Sequence, residues 1–141
     1  MQHDTSSAYT WRVNMQDISW YSGNYKFMVT EAPVMKMRED KSGEMVPVVD
    51  RKTQLNAFVV MLFAKPRPVP GERPGKGEEI KVTLATDPGD GFDEGTYVEL
   101  INPVLNTYQT TNDEGRITGS GLWFKAEGIK PAGSGAIRDA A

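Results

Sequence analysis

Between residues 25 and 130 hydrophobic and polar positions alternate with a period of two, in runs separated by charged turns rich in Gly and Pro. The run 79–86 (EIKVTLAT) is the cleanest. Ile80, Val82 and Leu84 fall on one face and Lys81 and Thr83 on the other, as in a strand with one side in a core. Residues 25–31 predict a first strand, which Pro33 interrupts because proline cannot donate to a ladder; the pattern continues from Val34 to Met37 as an edge or bulged segment. A charged turn with Gly43 follows, and 45–49 resumes the β pattern. Residues 56–65 (NAFVVMLFAK) are the most apolar, and the β-branched Val59 and Val60 between chain breakers favour a central strand over a buried helix. In 97–105 Val98 and Leu100 point inward and Pro103 marks a bulge or bend, with the strand running on toward Tyr108 and Gln109. Asn112 to Gly115 is a hairpin signal. The run 117–129 closes the series, with Leu122, Phe124 and Ala126 inward against Trp123, Lys125 and Glu127 outward.

No stretch of ten residues carries helical periodicity. The pattern predicts an all-β domain over 25–130, most economically a small five-stranded Greek-key barrel of OB-fold type, because closure removes exposed strand edges. A sandwich is the alternative, since strand number does not separate the two. Residues 1–24 read as an arm, partly packed, because isolated aromatics (Tyr9, Trp11, Trp20, Tyr21) do not suit a free tail; the alternating 10–15 would add an edge strand. The Gly- and Ala-rich 131–141 reads as a disordered tail.

Composition narrows the chemistry more than it names it. The chain has 141 residues, no Cys, one His and a net charge of −3. The absence of Cys excludes disulfides and thiolate metal sites and fits a reducing cytoplasm. The first ten residues hold neither a basic stretch nor an apolar one, so a secretory signal is not expected. The longest apolar run, 57–64, is eight residues, too short to span a bilayer, so no membrane partner is expected. Charge is uneven: residues 25–81 hold 11 Lys/Arg against 8 Asp/Glu, and residues 82–141 hold 4 against 9.

Enzymatic machinery is missing from the sequence. His3 sits at an end with no scaffold to position it as a base. The acidic turn from Asp87 to Glu94 lacks the ligand spacing of a calcium loop, and Gly71, Gly75 and Gly77 do not form a phosphate loop. Ser42 and Ser120 have no His to activate them. Neither an enzyme nor a cofactor or metal site is expected.

What remains is the outward face. Trp123 and Lys125 project together from the last strand, Lys81 and Tyr97 from earlier ones, with Tyr108 beyond. An aromatic ring beside a lysine is the pairing that single-stranded nucleic acid uses, a platform for a base and a cation for the phosphate. The loop 66–77, with four Pro and three Gly in twelve residues, is no strand or helix interior, and its Arg67, Arg73 and Lys76, with Lys65 just before it, would add charge. The expected partner is single-stranded DNA. The alternative is a protein-interaction module, in which a barrel edge or the Trp11/Trp20 arm pairs with another subunit, as in a homo-oligomer.

Two blocks also carry a family likeness. The first is Phe27-Met-Val-Thr-Glu-Ala-Pro33, then Ser42-Gly-Glu44, then Val59-Val-Met-Leu62. The second is Ile80-Lys-Val-Thr83, then Gly95-Thr-Tyr-Val-Glu-Leu100, then Gly121-Leu-Trp-Phe-Lys-Ala126. Together they resemble small regulatory or replication-activator proteins of actinobacterial integrative and conjugative elements. That resemblance implies an OB-like, single-strand-binding-like domain serving replication, transfer or transcription of a mobile element or phage. It brings no functional residues with it. The chain departs from bacterial single-strand-binding proteins in ending Ala136-Ile-Arg-Asp-Ala-Ala141 rather than in an acidic, Phe-tipped tail.

Overall fold

A computed structural model describes residues 16–133, and the readings made at His3, Trp11, 10–15 and 134–141 lie outside the described residues. The described chain is all-β, with ten strands: β1 (Ile18–Ser19), β2 (Tyr25–Met35), β3 (Met37–Glu39), β4 (Met45–Pro47), β5 (Phe58–Pro66), β6 (Glu78–Leu84), β7 (Tyr97–Ile101), β8 (Val104–Thr111), β9 (Ile117–Ala126) and β10 (Gly128–Pro131). Eight form one mixed sheet in the order β1-β8-β9-β6-β5-β2-β7-β10; β3 and β4 form a separate hairpin. All pairings in the large sheet are antiparallel except β6 with β9, which run parallel through Val82↔Phe124 and Leu84↔Ala126. Hydrogen bonding does not carry the sheet round into a ring, since β1 and β10 stand at its two ends.

Period-two patterning sets the core. Val60 and Leu62 of β5, Val82 and Leu84 of β6 and Val29 of β2 are the largest side chains fully excluded from water. Each contributes about 1.5–3 kcal/mol through burial. Phe27, Val98, Leu100, Ala126 and Ile129 extend this cluster, and Phe92 anchors the acidic turn to it. Trp20 packs on the cluster from the arm, its ring 5.8 Å from that of Phe124 and 6.4 Å from that of Phe27.

Three details depart from the sequence pattern. Strand β2 runs straight through Pro33, and its ladder with β5 absorbs the interruption as register shifts between Val29, Glu31 and Val34. The run 117–129 is two strands: it breaks at Glu127, and β10 crosses to the far side of β7, where Ile129 pairs with Leu100 and Pro131 with Val98. Leu122 is exposed, not inward, because β9 pairs with β6 only from Phe124 onward; before that it leans on β8 alone.

Strands β7 and β8 are halves of one bent run. Asn102, at φ 48°, and Pro103 separate them. Asparagine adopts this left-handed conformation more readily than most residues, here with its Nδ2 donating to Glu127 Oε2 at 2.9 Å, and Pro103 cannot extend a ladder. The first half pairs with β2 and the second with β9. Hairpin β8–β9 closes at Asn112, whose Oδ1 accepts from the Glu114 and Arg116 N–H groups at 2.9 Å, with Gly115 at φ 80°.

Candidate nucleic-acid interface

The outer face of β5, β6 and β9 carries the side chains that the core pattern leaves out. On β5 these are Val59, Met61, Phe63 and Lys65; on β6, Glu79, Lys81 and Thr83, paired with Phe63, Met61 and Val59 in turn. Thr83 is level with Lys125 of β9, which sets Trp123 beside Lys81 across the parallel pair. Trp123, Lys36, Lys81 and Thr83 line an open groove of about 460 Å³ together with Glu78 and Glu79 of β6.

Lys36 was not among the residues anticipated. Its backbone is fixed on both sides: its N–H donates to Ala57 at 2.9 Å and its carbonyl accepts from Val48 at 2.9 Å. Its Nζ lies 5.4 Å from the centroid of the Trp123 ring and donates to Thr83 Oγ1 at 3.2 Å. Partial burial lowers its pKa, and the like charges of Lys81 and Lys125 lower it further. Lys36, beside the indole, thus feels the charge of two further lysines. An anion placed among them relieves that repulsion, while Glu78 and Glu79 on the same groove oppose it.

Lys125 sits there in a different role. Its Nζ lies 2.5 Å from Asp50 Oδ1, and the two side chains are 19% and 3% exposed. Asp50 Oδ2 also accepts from the Lys52 and Thr53 N–H groups at 3.0 Å each. Burial alone would raise the Asp50 pKa; the Lys125 hydrogen bond and the two N–H donors outweigh it and hold the carboxyl below its usual range. Lys125 is therefore neutralised by a buried partner and adds less to an anion site than its position suggests.

Two glycines shape the aromatic surface. Tyr108 pairs with Gly121, and a Cβ on Gly121 would stand 2.7 Å from the Tyr108 hydroxyl; the ring lies across that glycine on the Trp123 face. The Phe63 ring likewise fills the space a side chain at Gly77 would take. Rings laid on bare backbone present a face to solvent, the geometry that base stacking requires. Across the ladder from Trp123, Asn106 is buried, its Oδ1 accepting from the Asp17 N–H at 2.8 Å, while its Nδ2 has no partner among the described residues.

The remaining anticipated residues are dispersed. Lys65 is exposed on the outer face at the end of β5, opposite Lys26. Tyr97 also faces outward, opposite Met28, but β7 stands three strands from β6 in the sheet. Arg67 braces the arm, its Nε donating to Gly23 O at 3.0 Å. Lys76 lines a small pocket at the end of the sheet with Trp20 and Phe124, and Arg73 is exposed on the loop. Trp123 and Lys81 share one groove, with Tyr108 on the same face across from Gly121; Lys125 lines a hollow with Asp50, and Tyr97 and Arg67 belong to another groove. Lys36 and Phe63 were missed. The alternation of Val34, Met35, Lys36 and Met37 set Lys36 out as the lone cation of an apolar run, the one signal that pointed to it.

Among the described residues no helix is long and apolar enough to cross a membrane. No protein-family model matches the chain, and no curated protein matches it.

Proposed function

We propose that this chain is an OB-like module that binds single-stranded DNA on the outer face of β5, β6 and β9. The observation that carries the reading is the Trp123 ring set among Lys36 and Lys81 beside a groove. It joins a stacking surface to phosphate-binding charge. Topology supports the OB-like assignment. Taking β7 and β8 as one bent strand, β2, β5, β6, β7–β8 and β9 make five, with the third parallel to the fifth and the bent fourth touching both first and fifth. Oligonucleotides on OB folds lie over strands two and three, between the connections that follow strands one and four. Here those strands are β5 and β6; the connections are the segment that starts at Lys36 and the turn at Asn112. With the likeness to actinobacterial mobile-element proteins, the proposal extends to a role in replication, transfer or regulation in the cytoplasm.

Energetics set the expected affinity. Stacking on Trp123 and Tyr108 at about 1–3 kcal/mol per base gives less than the roughly 8 kcal/mol of micromolar binding, so charge must supply the rest. Oligo-dT should quench tryptophan fluorescence and bind more weakly as salt rises.

A second reading, a protein-assembly module, draws on the exposed Met37 and Met45 of the β3–β4 hairpin with Val49 and Leu55 nearby. Light scattering tests it: a monomer at high concentration opposes self-assembly, and a stable oligomer without oligo-dT binding would favour assembly over DNA.

A further inference from the structure

A second groove, of about 370 Å³, lies at the β2–β7–β10 side of the sheet beside the arm, where the outward Lys26 and Tyr97 meet the inward Phe27, Val98 and Leu100. Tyr97 lines it from β7, Tyr21 from the arm, and Lys26, Arg67 and Lys130 bring positive charge around them. Tyr21 is 75% exposed, and its ring lies over Gly23, where a side chain would collide with it. Arg67 holds that turn in place, donating from Nε to Gly23 and from its backbone N–H to Asn24. Lys130 pairs with Glu99 at 3.8 Å, both largely exposed. Two presented rings among cations repeat the chemistry around Trp123.

The stretch between the two grooves suits bases better than phosphates. Across the strands run Met61 and Phe63 of β5 and Met28 of β2, with Met28 opposite both Phe63 and Tyr97. Glu79 and Glu31 stand among them, Glu79 accepting from Thr30 Oγ1 at 2.6 Å. Glu79 also lines the Trp123 groove, so acids thin the positive charge there as well as along the apolar bridge between the two grooves. From β9 to β7 there are four strand intervals by way of β6, β5 and β2, along a face that curves because β8, the continuation of β7, flanks β9 on its other side. At about 4.8 Å each the path is at least ~19 Å, which a stacked strand at about 3.4 Å per nucleotide follows in roughly six or more residues.

We propose that the Tyr21–Tyr97 groove is a second stacking subsite for the same single strand, engaged only by oligonucleotides long enough to cross the sheet. This rests on the DNA-binding reading of the Trp123 face. Its test is the length dependence of binding, using fluorescently labelled dT3 and dT12 against wild type, Tyr97→Ala, Tyr21→Ala and Trp123→Ala. Tyr21 is exposed enough that its variant keeps the fold even where Tyr97→Ala does not. The expected result is a loss of roughly 5- to 150-fold for dT12 with either tyrosine variant, with dT3 changed by no more than about twofold. Trp123→Ala weakens both oligomers. Should both tyrosine variants leave dT12 unchanged, or weaken dT3 and dT12 alike, the second subsite is wrong while the Trp123 reading stands. If wild type binds neither oligomer at low salt, both fall together.

Discussion

Lys36 and Trp123 are 87 positions apart in sequence, yet the Lys36 ammonium lies 5.4 Å from the centroid of the indole. The contact covers part of the ring that a base would use, so ligand must share or displace it. At exposed sites such a contact is worth about 0.5–1 kcal/mol, less than one stacked base. On the proposed reading a stacked base would therefore win the ring and leave Lys36 to the phosphate.

Lys36→Met should lower the slope of log affinity against log salt by about 0.7, the value of one phosphate contact on a single strand. It should also change the pH dependence of stability. The folded state holds the Lys36 pKa below 10.5, so the unfolded chain binds more protons between the two values. Stability attributable to this group rises as pH climbs through the folded value toward 10.5. Urea titrations at several alkaline pH values should show that rise in wild type and a flatter profile in Lys36→Met.

The Lys125–Asp50 pair should matter to stability more than to binding. Asp50→Ala strands a buried ammonium and frees two N–H donors, a loss of about 3–5 kcal/mol. Asp50 has a folded pKa below 3.8, so its contribution is present above 3.8 and is lost as pH falls through the folded value. Acid titrations of Asp50→Asn should lack that part of the acid limb. Lys125→Met should leave the salt slope for oligo-dT nearly unchanged.

Gly121→Ala separates platform from fold. The new Cβ displaces Tyr108, whose ring end is free to swing away on an exposed hairpin. Stability should change by about 1 kcal/mol or less, since alanine also relieves glycine's entropy cost. Oligo-dT affinity should fall, by up to the value of one stacked base, about 1–3 kcal/mol.

Leu62→Ala and Leu122→Ala test the inward assignment. Leu62 is fully buried and its truncation should cost about 2–5 kcal/mol. Leu122 is 58% exposed and its truncation should stay within about 0.5 kcal/mol. Urea midpoints of the two variants give the comparison directly.

That last pair also marks what alternation could tell. Side-chain parity identified Ile80, Val82, Leu84, Val98 and Leu100 as core, and all five are buried, because a strand's period of two is a local property. Parity also ranked Leu122 with Phe124 and Ala126. It failed there because burial depends on which strand lies alongside, and the pairing of β9 with β6 ends at Phe124, before Leu122. The same limit hid the outcome for the site. Outwardness was legible for Trp123, Lys81 and Tyr97, but sheet order decides that the first two meet and the third does not. Asp50, 75 positions before Lys125, carried no sign of the ion pair it forms, since long-range pairing leaves no mark on local pattern.

The central claim is that Trp123 and its lysines form a single-strand-binding face. Titration of labelled oligo-dT against wild type and Trp123→Ala over a range of salt tests it most directly. The account predicts binding at low salt that weakens steadily as salt rises, with a slope of about −1.4 if Lys36 and Lys81 each contact one phosphate. Trp123→Ala should lose roughly 1–3 kcal/mol at every salt concentration. No binding at low salt, or equal affinity for the two proteins, would contradict it.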